Sequence, residues 1–322
     1  MRLRPVIKGA LTFIPGFEHI LPKAIASRNP PPEYYYGVWL KHIALLNANG
    51  FPGLPAKVAE LGPGDSLGLG IAALLSGVDT YYGLDVVAHT KPEENLSTFD
   101  KLLERFKTRA PRPNKGWPDF DHLLDQRLFP SHILTDEILR KSLAPERLQH
   151  IRSALTNSSG RSGPIHITYR VPWNDAAVIE RDSIDLIISQ AVLEHVVDIA
   201  GTYAALNEWL KPGGVMSHQI DFRSHDLTAE WNGHRAISES MWRIMLGRRP
   251  YLLNREPAST HTREMRALGL KLVCDLNNYR KDGIPRSKLT ARWQDITDED
   301  LNCVESLVQA SKPVIATKAR AN

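Results

Sequence analysis

An α/β fold is the architecture this sequence predicts. It is a doubly wound, mostly parallel seven-stranded sheet with a helical insertion after the second strand and a helical N-terminal arm. Three observations carry the prediction. Apolar runs of strand length alternate with runs of helical periodicity, the pattern of a parallel sheet with right-handed crossovers. A glycine turn, Gly62-Pro63-Gly64, separates the first apolar run from the first helical one, and a backbone without side chains lets a ligand approach closely there. Two acids, Glu60 and Asp85, end the first two strands 25 positions apart.

The elements follow in order. Residues 1–50 form an N-terminal arm and helix, and residues 51–322 the main domain. Asn29-Pro30-Pro31-Pro32 is a stiff breaker, after which Val38, Ile43, Leu45 and Leu46 give a helix over 33–49 closed by Gly50. Strand one spans Lys57–Leu61, its helix 67–76 stops at Gly77, and strand two is Thr80–Leu84. The next strand, 165–169, comes only after an insertion at 88–163, far longer than one crossover needs. Helical patterns at 95–105 and 147–155, divided by Ala110-Pro111-Arg112-Pro113-Asn114, make it a helical lid beside the ligand site. Strand four is 184–189 and strand five 215–220. Residues 221–261, rich in Trp, His and Arg, read as a substrate-side insertion, and strands at 270–276 and 304–310 finish the sheet as an antiparallel hairpin.

Composition narrows the function. A chain of 322 residues with 42% hydrophobic and 24% charged residues is an ordinary soluble globular protein. The balance of 40 basic to 36 acidic residues, spread without dense runs, gives no footprint for nucleic acid. Cys274 and Cys303 form no CxxC pair, so neither a disulfide scaffold nor a zinc site is indicated, and free thiols in a reducing cytoplasm are expected. The start resembles an export signal, yet Lys8, Pro15, Glu18 and His19 interrupt an apolar stretch too short to span a bilayer. Ile7, Leu11 and Ile14 give it a short apolar face, expected to pack on the main domain or a second subunit in preference to docking on a membrane surface. The oligomeric state is open.

The two acids identify the ligand. Glu60, two positions before the first glycine, would repel a dinucleotide pyrophosphate but suits the ammonium of a methionine moiety, directly or through water. Asp85 occupies the place where an acid takes ribose hydroxyls. A nucleoside-like, cationic ligand without phosphate is S-adenosylmethionine (SAM). Gly62, Pro63 and Gly64 would cradle it, and Val86 would cover one face of the adenine. A nicotinamide-dependent dehydrogenase would need GxGxxG, whereas this loop runs Gly62-Pro63-Gly64-Asp65-Ser66-Leu67.

Glu60-Leu61-Gly62-Pro63-Gly64 resembles the first motif of class I SAM-dependent methyltransferases. The run from Ser183 through Gln190-Ala191-Val192-Leu193-Glu194-His195-Val196 resembles their fourth-strand motif, and Leu210-Lys211-Pro212-Gly213-Gly214 the turn before their fifth strand. Ser66 replaces glycine at the third small position of the loop, a tolerated departure. Tyr36-Gly37-Val38-Trp39-Leu40-Lys41-His42 and Trp231-Asn232-Gly233-His234 resemble a bacterial subgroup associated with polysaccharide gene neighbourhoods. The resemblance implies a Rossmann-like methyltransferase fold in which Gln190 and Ala191 reach the methionine part. Within the segment 169–175, aligned with the one that reads the adenine edge, Trp173 would stack on adenine or pack on the sheet.

Methyl transfer to an alcohol needs a base. The candidates are His218 and His195, with Asp221 as orienting or alternative base. His195 follows strand four, a position that in similar enzymes faces the transfer site. His218 and Asp221 flank the end of strand five, and His218 ranks slightly above because a strand holds it more rigidly. No metal is expected. His225 and Asp226 could join Asp221 around an ion, but His218 and Asp221 lie on opposite faces of one strand. Trp231 and Trp242 suit the apolar face of a sugar ring or an aromatic acceptor. The reading is a SAM-dependent methyltransferase acting on a hydroxyl of a glycan or glycosylated metabolite. The alternatives are N- or C-methyl transfer to a small molecule, or a non-catalytic SAM-binding partner subunit.

Overall fold

The computed structural model describes residues 2–15, 30–88, 90–123, 128–157, 159–173, 175–249 and 252–314. Part of the export-like start, including Glu18 and His19, lies outside them. Helix α1 (Leu3–Leu11) is followed by α2 (Pro32–Ala48). Strand β1 (Lys57–Leu61), helix α3 (Gly68–Ser76) and strand β2 (Thr80–Leu84) form the first crossover. The insertion supplies α4 (Pro92–Lys107), α5 (Asp136–Ser142), α6 (Pro145–Thr156) and β3 (Arg161–Ser162). Strands β4 (Ile165–Arg170) and β5 (Ile184–Gln190), helix α7 (Ile199–Trp209) and strand β6 (Leu210–Asp221) complete the parallel part. Helices α8 (Glu239–Leu246) and α9 (Ala258–Ala267), strand β7 (Lys271–Tyr279), helix α10 (Asp298–Asn302) and strand β8 (Cys303–Ser311) end the chain.

Among the described residues one sheet of eight strands runs β3-β4-β2-β1-β5-β6-β8-β7. The pairs β1–β2, β1–β5, β2–β4 and β5–β6 are parallel, while β8 runs antiparallel to both β6 and β7. The seven predicted strands are all present. The eighth, β3, is a two-residue hairpin arm against β4. It was hidden in the turn-rich text Ser158-Ser159-Gly160-Arg161-Ser162-Gly163, which has no apolar alternation to announce a strand.

Helices cover both faces, which is why the strands read as near-continuous apolar runs. Val58, Leu186 and Ile188 face one core with Tyr36, Trp39 and the residues of α3. Ala59, Leu61, Ile187 and Met216 face the other with Tyr203, Leu206 and Trp209 of α7. The alternation along each strand decides which residue goes where.

The insertion is part of the first core. Phe99, Leu102 and Phe106 of α4 are 1% exposed or less and cluster with residues of α2 and α3. Glu93 and Glu94 in its first turn and Arg105 and Lys107 in its last oppose the helix dipole favourably. Packing of this kind belongs to a fixed layer, not to a moving cover. Amide exchange across α4 and α6 should therefore be as slow as in their core neighbours and unchanged when cofactor and acceptor bind. Slower exchange throughout the insertion on ligand binding would restore the lid.

The N-terminal helix packs as expected but through a different face. Gly9 lies so close to α8 that an added Cβ would stand 2.1 Å from the Ile244 carbonyl oxygen. Val6 joins the cluster around Trp242 and Met245, whereas Ile7 and Ile14 are 49% and 51% exposed. Among the described residues no helix is long and apolar enough to cross a membrane. Cys274 and Cys303 are unpaired, because the strand register sets them against Gln309 and Tyr279 and not against each other.

Candidate active site

The carboxyl ends of β1, β2, β5 and β6 converge on one crevice, the position where open parallel sheets bind ligands. At its centre is the glycine turn. Gly62 and Gly64 have φ of +65° and +69°, a left-handed backbone that glycine adopts at little cost. The Gly62 amide donates to the Leu84 carbonyl at 2.8 Å, and the Gly64 amide to Asp85 Oδ2 at 3.2 Å. The ends of β1 and β2 are thus stitched together. A Cβ on Gly64 would meet nothing within 4 Å, so this edge of the turn is open to a ligand. Asp85 is 7% exposed at the tip of β2 and Val86 beside it 49%, a carboxylate and an apolar surface side by side.

Glu60 is 5% exposed and accepts a hydrogen bond from the Tyr81 hydroxyl at 2.5 Å. Burial pushes its carboxyl up to about 8, with the Asp85 charge adding to the effect and the Tyr81 bond opposing it. Gly70 makes room for Tyr81: a Cβ there would stand 2.3 Å from the ring carbon Cζ. At neutral pH the free protein thus holds a proton on Glu60. A cation beside Glu60 would pull its pKa down, so binding would release that proton. Cofactor affinity should then rise with pH and level off near 8, and Glu60→Gln should abolish the slope. Calorimetry at pH 7 in buffers of different ionisation enthalpy reads the release directly, and zero protons released would remove Glu60 from the ammonium.

One contributor went unseen in the sequence. Asn95, in α4 and 4% exposed, accepts from the Leu67 amide at 2.9 Å and the Ser66 hydroxyl at 3.2 Å through Oδ1. It caps α3 from the insertion, a contact between distant positions that no local spacing announces.

The loop after β5 forms the opposite wall. Ala191, with φ of +53°, donates its amide to the Gln219 carbonyl at 2.9 Å, and Gln190 Nε2 donates to Gln219 Oε1 at 2.8 Å. Val192 packs on the glycine turn, for a Cβ on Gly62 would lie 2.5 Å from Val192 Cγ2. Asn254, also unforeseen, fastens the loop by donating to the carbonyls of Leu193 at 2.7 Å and Val196 at 2.8 Å.

The structure separates the base candidates. His218 is fully buried on the α7 side of β6, bonded through Nδ1 to Ser189 Oγ at 2.8 Å and edge-on to Tyr203. Burial drives its pKa down to about 3. The expected preference for His218 is therefore reversed: its place on the strand points it into the second core, away from any acceptor. His195 lies in a 3-10 turn, Leu193–His195, partly exposed, with its ring 5.2 Å from that of His225. The partner expected for Asp221 is likewise different. His225 Nε2 is 3.2 Å from Asp221 Oδ2, and Arg223 binds both oxygens of Asp221. Burial acts to raise the Asp221 pKa, but the His225 and Arg223 bonds overcome it and hold the carboxyl well below the usual carboxylate range. Asp226 faces solvent and pairs with Arg2 at 3.2 Å.

Beside Asp221 stands Glu194, 3% exposed, whose carboxyl burial pushes well above its ordinary value against the weaker pull of nearby backbone amides. Trp173 is half-buried and packs edge-to-face on Trp209 of α7 at 6.0 Å. Trp242 is 7% exposed beneath Arg255, whose guanidinium lies 4.4 Å from the ring centroid, so it is core and not a cleft wall. Trp231 stays half-buried.

The methyltransferase-domain family matches residues 37–280, a span that holds the glycine turn, the β5 loop and the end of β6. The chain belongs to this family and is a class I SAM-dependent methyltransferase, with SAM as its cofactor. No curated protein matches the chain. Solved structures similar to it include a SAM-dependent methyltransferase from Mesorhizobium loti, at 16% identity over 85% of this chain and 97% of that one, with a TM-score of 0.42. Geranyl diphosphate C-methyltransferase from Streptomyces coelicolor A3(2) matches at 10% identity over 85% and 77%, TM-score 0.42. Phosphoethanolamine N-methyltransferase 2 from Haemonchus contortus matches at 15% identity over 87% and 56%, TM-score 0.41. The open glycine turn and the acid ending β2 fit the cofactor.

Proposed function

We propose that the chain transfers the methyl group of SAM to an oxygen, a hydroxyl of a glycan or glycosylated metabolite, with His195 taking the proton. When bound, SAM supplies an activated methyl on a sulfonium that loses its charge during in-line substitution. The rest is the work of the chain. Asp85 takes the ribose hydroxyls, Glu60 the ammonium, and Gly62 to Gly64 the close approach. Val86 lies against the adenine, and the Gln190–Ala191 backbone holds the methionine part. Positioning of donor and acceptor supplies much of the acceleration.

The observation that carries the oxygen reading is the His195 imidazole on the loop whose Val192 touches the glycine turn, with the His225 ring 5.2 Å away. An alcohol must lose a proton as the methyl arrives, whereas a neutral amine needs less help. The sugar character of the acceptor rests on Trp231, since Trp242 is packed away. The test is transfer from methyl-tritiated SAM to a matched panel of hydroxyl, amine and carbon acceptors. Label on oxygen supports the reading, and label on nitrogen or carbon overturns it. Tight SAM binding with no transfer to any acceptor would make the chain a silent partner subunit.

A further inference from the structure

We propose that Glu194, Asp221 and His225 bind one divalent cation of the manganese-to-zinc series. Each offers a ligand atom, and the three atoms lie within 4.8 Å of one another. Bonds of about 2.1 Å in an octahedral shell set neighbouring ligands roughly 3 Å apart and opposite ones about 4.2 Å apart. A span of that size is comparable with the width of an octahedral shell. The 3.2 Å between His225 Nε2 and Asp221 Oδ2 is already the separation of neighbouring ligands.

The second observation is a buried carboxyl group with no hydrogen-bond partner. Glu194 is 3% exposed, and neither of its carboxylate oxygens makes an aligned hydrogen bond. Ionising a buried carboxyl in that condition is costly, and the Asp221 carboxylate beside it adds repulsion. One divalent cation relieves both. Glu194 and Asp221 line a narrow cleft together with His234, which is 1% exposed and whose Nδ1 has no hydrogen-bond partner. Mixed carboxylate and imidazole donors suit manganese, iron, cobalt or zinc better than calcium, which takes oxygen ligands. Arg223 on Asp221 weakens the site without closing it, because each carboxylate oxygen accepts more than one contact.

The sequence led to no metal, and the only trio it offered around Asp221 was with His225 and Asp226. Asp226 turns outward to Arg2, and Glu194 arrives from the neighbouring strand's loop in its place. The role of the cation rests on the oxygen-acceptor reading above, but its existence does not. A bound cation would hold the acceptor oxygen and lower the pKa of its hydroxyl. The oxygen–carbon bond forms as the carbon–sulfur bond breaks, the electron pair of that bond stays on sulfur, and the hydroxyl proton passes to His195.

The experiment is a titration of Mn2+ into the metal-stripped full chain, followed by the electron paramagnetic resonance signal of free Mn2+. Wild type should show one saturable site. Glu194→Gln and His225→Ala should each weaken it at least tenfold, while Asp226→Asn should not. SAM affinity, measured by calorimetry on the same samples, should be unchanged and so report an intact fold. If Glu194→Gln fails to fold, His225→Ala, at an exposed position, still decides. Absence of saturable binding of Mn2+, Co2+ or Zn2+ to the wild type, or equal affinity in the variants, overturns the site. Mn2+ binding there with turnover untouched by EDTA would leave the site standing and refute its part in the reaction.

Discussion

Replacing Gly62 by alanine is expected to lower cofactor affinity by about two orders of magnitude and to destabilise the fold at the same time. The new Cβ would lie 2.5 Å from Val192 Cγ2 and 2.9 Å from Cγ1. Val192 is β-branched and stiff at χ1, so it cannot swing aside cheaply. Forcing a methyl group into such a contact costs about 1–3 kcal/mol, and holding alanine at a φ of +65° costs roughly 1–2 more. Relief can come only by shifting the glycine turn or the loop that carries Ala191, and both walls of the cofactor site move with it. About 3 kcal/mol felt by the bound state corresponds to roughly a hundredfold in affinity. Calorimetric titration with SAM measures it. The double variant Gly62→Ala with Val192→Ala should recover the steric part and leave the backbone part. Wild-type affinity in the single variant would show that the two loops do not constrain each other.

Loss of the His195 imidazole should reduce turnover by about a hundredfold or more, the usual size of a general-base contribution, with SAM affinity barely changed. His195→Ala should also leave the unfolding free energy close to that of the wild type, which loss of a merely structural residue would not do. His218→Asn should behave in the opposite manner. The His218 ring is fully buried and bonded to Ser189, so its replacement should lower stability by about 1–3 kcal/mol through a disturbed buried hydrogen bond while the surviving folded enzyme keeps its pH profile. Full activity in His195→Ala would sink the base assignment.

The contrast between these histidines shows where the sequence was legible. Lys57–Leu61 and Thr80–Leu84 were read to the residue, because apolar runs bounded by glycine and acid leave few alternatives. The meeting of Gly62, Gly64 and Asp85 at the ends of β1 and β2 was readable for the same reason, since they sit at fixed distances from one another in one stretch of chain. The acceptor half was not. Alternation correctly put His218 and Asp221 on opposite faces of β6, but it could not say that helices cover the His218 face. Glu194, His225 and Asn254 come together from three separate segments, and their meeting depends on loop geometry that no period encodes.

The cap that α4 places on α3 has a consequence for how this chain tolerates change in length. Asn95 reaches Leu67 from 28 positions downstream, across the link between β2 and α4. A helix turns about 100° per residue. Adding or removing a single residue within the first turn of α4, before Asn95, would therefore swing that amide a quarter of the way around the axis. Leu102 and Phe106 would hold the helix body in place while the cofactor turn lost its brace. The Pro-rich middle is tied to α2 as well, through Tyr36 on the Ala110 carbonyl and Lys41 on those of Lys115 and Gly116, but it is the first turn of α4 that is kept in phase with the glycine loop it serves.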